Sequence, residues 1–187
     1  MPASHCMQTQ TALAHSRPLR YNCPSPAIAF QWMPMTNNDI LRRLRFALNL
    51  SDSKVVALFA LVHQPITEDA LLAMLKKEDE PGFRPCTDKE LCQFLDGLVI
   101  ERRGLRPGDG VPAPMPLDNN LVFKKIRIAL ELKEDDILAM LTKAGFALSK
   151  SELGAIFRNP DHRHYRPCGN QLLRNFLKGL SISLRGR

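Results

Sequence analysis

Shifting the chain against itself by 82 residues aligns Asn37–Leu98 with Asn119–Leu180 without a gap, and 18 of the 62 paired positions are identical. The identities include apolar pairs such as Leu48/Leu130, Leu71/Leu153 and Phe94/Phe176, the glycines Gly97/Gly179, and a short polar string, Arg84-Pro85-Cys86 and Arg166-Pro167-Cys168. Swaps such as Ile40/Val122, Leu44/Ile126 and Phe83/Tyr165 keep the chemistry of many other positions. Two unrelated helical stretches do not hold a common register for this long, so the chain is a tandem duplication. Any fold it adopts is built from two similar units.

Composition sets the remaining bounds. With 44% hydrophobic and 24% charged residues the chain is of ordinary globular make-up, which excludes fibrous and wholly disordered readings. Charge breaks every apolar stretch well before the roughly 18 to 20 residues that span a bilayer, so no membrane segment is expected. Five cysteines at irregular spacing form no disulfide framework and suit a reducing compartment, the cytoplasm. Between the copies, residues 105–117 are rich in proline and glycine and cannot be helical, which makes them a linker. Residues 1–34 contain no Asp or Glu and show no period. They are expected to be a disordered or over-extended N-terminal segment, because Met35 opens the first stretch with a structural pattern; a targeting leader would need an apolar or amphipathic stripe that is missing. The units are then 35–104 and 118–187.

Helical spacing runs through both units. Thr36 is placed to cap a helix carrying Ile40, Leu41, Leu44, Ala47 and Leu48 on one face, and Asp118 opens its copy. Ser51 and Asp52 start a second helix that ends near Pro65, or near Gly145 in the copy. Thr67 caps a third, with Ser149-x-x-Glu152 as a capping box in the copy. Thr87-x-x-Glu90 is a further box, opening a fourth helix that stops at Gly104, its partner at Gly186. Glycine inside that helix costs about 1 kcal/mol against alanine, so Gly97 and Gly179 predict close approach of a neighbouring helix. No window alternates as a strand does. The fold is expected to be all-α, two tandem units of about four helices related by a pseudo-twofold.

The strings TNNDILRRLRFALNLSD, KKEDEPGF and LCQFLDGLVIERRG resemble the YehS family of bacterial proteins, which consist of tandem domains of unknown function. The resemblance runs from about Met35 to Arg187. It implies a small, helical, cytoplasmic protein and carries over no reaction, ligand or catalytic residue. The connectors differ between the units, Glu78-Asp79-Glu80 against Pro160-Asp161-His162.

Few residues offer chemistry. The duplicated connector motif, Asp79, Arg84, Pro85 and Cys86 with Asp161, Arg166, Pro167 and Cys168, reads first as structure: proline fixing a turn, arginine pairing with the aspartate five residues before it, cysteine packed as a small hydrophobe. Its functional reading makes the arginines anion hooks and the cysteines reactive thiolates. His162, His164 and Cys168 lack the fourth ligand of a zinc site, so no metal and no cofactor is expected. No phosphate loop, nucleophile elbow or metalloprotease helix occurs, so no catalytic residue is assigned and the protein is read as a non-enzyme.

Charge is the remaining signal. Residues 111–187 carry 13 Lys and Arg against 7 Asp and Glu, whereas residues 35–110 carry 11 against 12. Lys124, Arg127, Arg158, Arg163 and Arg166, with Tyr165 to stack a base, are the candidates for binding a nucleic-acid backbone. A protein–protein interaction module with no nucleic-acid role is the alternative, and it requires an exposed apolar patch.

Overall fold

A computed structural model describes residues 35–105, 110–113 and 115–186. The expectations for residues 1–34, and for 106–109 and Pro114 of the linker, lie outside the described residues. Eight helices are found there: α1 (Asn37–Ala47), α2 (Asp52–Leu61), α3 (Glu68–Leu75) and α4 (Asp88–Arg103) in the first repeat, then α5 (Asn119–Ala129), α6 (Glu134–Lys143), α7 (Lys150–Ile156) and α8 (Asn170–Arg185) in the second. No strand occurs among the described residues.

Local sequence starts most of these helices. The Thr36, Ser51, Thr67 and Asp118 side chains accept the backbone N–H three residues on, at 3.2, 3.2, 3.2 and 2.7 Å, which satisfies one orphan donor of each first turn. Thr87/Glu90 and Ser149/Glu152 form complete capping boxes. At α8 the position of Thr87 is held by Gly169, and no side chain caps that helix. Helix α2 stops at Leu61, before Pro65, because His63 turns into the left-handed region at φ 56°, where the second repeat has Gly145 at φ 80°.

The repeats interlock rather than sit side by side. In each, the second helix packs on the fourth, α2 on α4 and α6 on α8, while the first helix of each repeat lies along the fourth helix of the other, α1 on α8 and α5 on α4. These pairings are equivalent under the repeat, as the expected twofold relation requires. Arg185 closes one of them by donating to the Phe46 carbonyl at 2.6 Å, and Arg103 reaches the corresponding Ile128 carbonyl at 3.5 Å. Buried side chains from both repeats form one continuous core. Phe123 packs on Phe176 at 4.2 Å between ring centroids, and Phe59 on Phe94 at 6.2 Å.

Gly97 and Gly179 set the depth of the helix crossings. A Cβ at Gly97 would lie 2.1 Å from the Leu58 carbonyl oxygen, and one at Gly179 would lie 2.0 Å from that of Met140. Both obstacles are backbone, which cannot rotate away. Gly97→Ala and Gly179→Ala are expected to destabilise by about 3 kcal/mol each through overpacking. Gly154→Ala, in α7 with open space around it, is expected to stabilise by about 1 kcal/mol through helix propensity. Urea denaturation of the three variants separates the two effects.

Candidate nucleic-acid interface

Both connectors are held by a pair of asparagines from the first helix of their own repeat. Asn38, 3% exposed, donates from Nδ2 to the carbonyls of Met74 (2.7 Å) and Arg84 (2.9 Å), while its Oδ1 accepts the Cys86 N–H at 2.9 Å. Asn120 repeats this with Ile156 (2.8 Å), Arg166 (3.1 Å) and the Cys168 N–H (2.7 Å). The preceding asparagines reach the next step of chain: Asn37 donates to the Cys86 carbonyl and Asp88, Asn119 to the Cys168 carbonyl and Asn170. One carboxamide thus ties the first helix to the end of the third and to the connector, and a second ties it to the start of the fourth. Asn37/Asn119 and Asn38/Asn120 were visible as identities, but their partners, 36 to 51 residues away, gave no local signal.

The duplicated motif follows from this clamp. Arg84 and Arg166 each give a backbone N–H to the third helix, to Ala73 at 3.0 Å and Ala155 at 3.1 Å. Their guanidinium groups do not pair with Asp79 and Asp161 as the five-residue spacing predicts. Arg84 pairs with Glu90, and Arg166 with Glu152 at 3.1 Å, because the connector, pinned by asparagine, points each arginine at a capping-box carboxylate. Burial opposes the charge of Glu90, yet donation from the Thr87 backbone and hydroxyl and from Arg84 holds its pKa below the ordinary value. Cys86 and Cys168 are buried. Burial, with neighbouring carboxylates, pushes both thiols up from 9.0 to about 12. They are packing residues, not reactive thiolates. His162 and His164 are exposed while Cys168 is buried, and among the described residues no three metal-binding side chains gather.

The six residues put forward for nucleic-acid contact divide into two groups. Lys124, Arg158 and Tyr165 line one groove of about 520 Å³, whose apolar walls include Met115, Leu121, Ile156, Phe157 and Pro160. Lys124 comes from α5, and Arg158 and Tyr165 from the connector that Asn120 holds in place. Arg163 is exposed on the same connector. Arg127 is turned elsewhere: its guanidinium lies 4.6 Å from the centroid of the Phe157 ring and donates to the Leu132 carbonyl at 3.3 Å. Arg166 is engaged by Glu152.

At the same place in the first repeat one of the two cations is paired with a carboxylate. Arg42, the counterpart of Lys124, is paired with Asp39 at 2.6 Å and also donates to the Lys76 carbonyl. Lys76 donates to the Pro81 carbonyl at 2.7 Å and its counterpart Arg158 to the His164 carbonyl at 3.3 Å, so the repeats differ at Arg42 and Lys124 rather than here. The second repeat has Leu121 where the first has Asp39, so Lys124 lacks a carboxylate partner among the described residues. Tyr165 is half-buried, and burial, followed by the charges of Asp118 and Cys168, raises its phenol pKa. It stays neutral at physiological pH.

Interlocked four-helix repeats clamped by asparagine define a class of duplicated all-α proteins. The family described as "Protein of unknown function (DUF1456)" matches the chain twice, over residues 37–104 and 119–186, so the chain belongs to that family. It is similar to "Uncharacterized protein YehS" of Escherichia coli (strain K12), 45% identical over 150 residues that cover 79% of this chain and 95% of that protein. No solved structure matches. Among the described residues no helix is long and apolar enough to cross a membrane.

Two outcomes test the clamp. Asn38→Ala removes three hydrogen bonds and strands two carbonyls and an N–H, and is expected to cost about 3 kcal/mol, measured by urea denaturation. Cys86 and Cys168 are expected to react with a thiol reagent at pH 8 only as fast as the protein opens. Their folded pKa lies above the exposed value, so their contribution to stability is whole below pH 9 and is lost as pH climbs toward 12, which a pH series of melting temperatures reads directly.

Proposed function

We propose that this is a non-enzymatic, cytoplasmic binding protein whose second repeat holds single-stranded nucleic acid. The observation that carries this reading is the groove of the second repeat, where two cations and a tyrosine meet over an apolar floor with one carboxylate, Asp118, also in the lining. A base enters the groove and stacks on Tyr165, while Lys124 and Arg158 take the flanking phosphates. Base–aromatic stacking contributes about 1 to 3 kcal/mol per base and tolerates any sequence. Cations without a carboxylate partner exchange condensed counterions for phosphate contacts. Arg163 extends the basic edge, whereas Arg127 sits over Phe157 and Arg166 pairs with Glu152.

The aromatic supports a strand over a duplex. Tyr165 is half-buried in a groove rather than displayed on a helix, and a base stacked on it needs to be unpaired. The first repeat, with Arg42 engaged by Asp39, serves as scaffold.

Fluorescence anisotropy of labelled single- and double-stranded oligonucleotides with the full chain, over a range of salt, tests the reading. Tighter binding of single strands is expected, with log affinity falling linearly as log salt rises. Lys124→Ser and Arg158→Ser should each reduce that slope by about 0.7. Tyr165→Ser should weaken binding about tenfold with the slope unchanged. Wild-type affinity in all three variants, or no binding at low salt, would refute the assignment and turn the search to a protein partner.

A further inference from the structure

The two contacts between the repeats are equivalent in the elements they join and different in charge. Where α4 meets α5, the Asp96 carboxylate pairs with Lys125, and both side chains are nearly buried, 6% and 11% exposed. The Cys92 thiol donates to the other oxygen of Asp96 at 3.5 Å. The repeat places Lys178 at the position of Asp96 and Arg43 at that of Lys125. Where α8 meets α1, two cations therefore stand at the places that an ion pair fills on the other side.

Arg43 and Lys178 line one cleft of about 350 Å³ together with Phe46, Ser181 and Ile182. Arg42 also lines it, with its charge already engaged by Asp39. Neither Arg43 nor Lys178 has a carboxylate partner among the described residues. Arg43 is half-buried and Lys178 exposed. An anion seated between them would supply the negative charge that Asp96 supplies at the other contact.

We infer that the α1–α8 cleft binds a small phosphoryl anion, held by the Arg43 guanidinium and the Lys178 ammonium with the Ser181 hydroxyl within the same cleft. Guanidinium matches the oxygen spacing of phosphate in a two-pronged contact, and ammonium adds a point charge. The cleft shares no lining residue with the groove of the second repeat, so this site stands or falls independently of the nucleic-acid reading.

Isothermal titration calorimetry of the full chain with pyrophosphate, at ionic strength matched with chloride, tests it. Saturable binding is expected. Lys178→Asp recreates at this contact the charge pairing of Asp96 with Lys125, so the variant should fold with a melting temperature no lower than the parent while its pyrophosphate affinity falls about tenfold or more, as loss of a charge-assisted partner predicts. The double variant Lys124→Ser, Arg158→Ser should bind pyrophosphate as the parent does. The source of the phosphoryl group is read by competition: displacement of a labelled strand by pyrophosphate in the parent but not in Lys178→Asp assigns the cleft to strand phosphates, and lack of displacement assigns it to a free small anion. No saturable binding, binding that survives Lys178→Asp, or binding lost in the groove double variant overturns the inference.

Discussion

The rest of the structure depends on the carboxamide of Asn38 and its copy Asn120. Each satisfies two backbone carbonyls and one N–H in the stretch where the chain leaves its third helix and has yet to begin its fourth. A connector of this kind has no ladder or helix to take up its polar groups, and burying them unpaired would cost more than the neighbouring apolar contacts return. With asparagine in place, the connector can lie against α1, the cysteine after it can enter the core, and the fourth helix starts at a fixed point. Proline at 85 and 167 suits this position, since it fixes φ and brings no further N–H to be satisfied.

On that common frame the repeats differ almost wholly in charge. Asp39 becomes Leu121, Glu90 becomes Leu172, and Asp96 becomes Lys178. Each change removes a carboxylate that is paired where the first repeat keeps it: Asp39 holds Arg42, Glu90 holds Arg84, and Asp96 holds Lys125 of the second repeat. Arg166 finds Glu152 instead, while Lys124 and Lys178 stand without a carboxylate among the described residues. The excess positive charge of the second half is thus not spread evenly over a solvated face. At Lys124 and Lys178 it stands where the first repeat has, respectively, a cation paired with Asp39 and a carboxylate paired with Lys125.

How much of this the sequence disclosed follows from the range of each interaction. Caps such as Thr36, Thr87 and Ser149 act within three residues, and the helices begin where those residues stand. Gly97 and Gly179 announced a close crossing because glycine inside a strong apolar stripe has few other uses, and both meet a carbonyl of the neighbouring helix. The asparagine clamp was opaque, since an Asn-Asn pair in the first turn of a helix looks like ordinary solvated polarity until its distant partners are known. The pairing of Arg84 was misread for a related reason: Asp79 is the nearer acid in sequence, but the pinned connector turns the guanidinium toward Glu90. In the groove, sequence named Lys124, Arg158 and Tyr165 from charge and aromaticity. It could not separate them from Arg127, whose cation sits over Phe157, because that choice is made by a ring thirty residues along the chain.

The interlocked topology explains why such divergence is tolerated. Because α1 lies on α8 and α5 on α4, each repeat completes the core of the other, and most of the stabilising apolar burial belongs to positions that the duplication keeps similar. A lost surface carboxylate such as that at Asp39 changes stability little beside that core. The second repeat can therefore shed the acids that neutralise its cations while the first repeat, with its ion pairs intact, keeps the shared core closed. Duplication followed by interlocking turns one stable unit into a frame on which the other half can hold uncompensated positive charge, and uncompensated charge in a preformed groove is what a phosphate-bearing ligand requires.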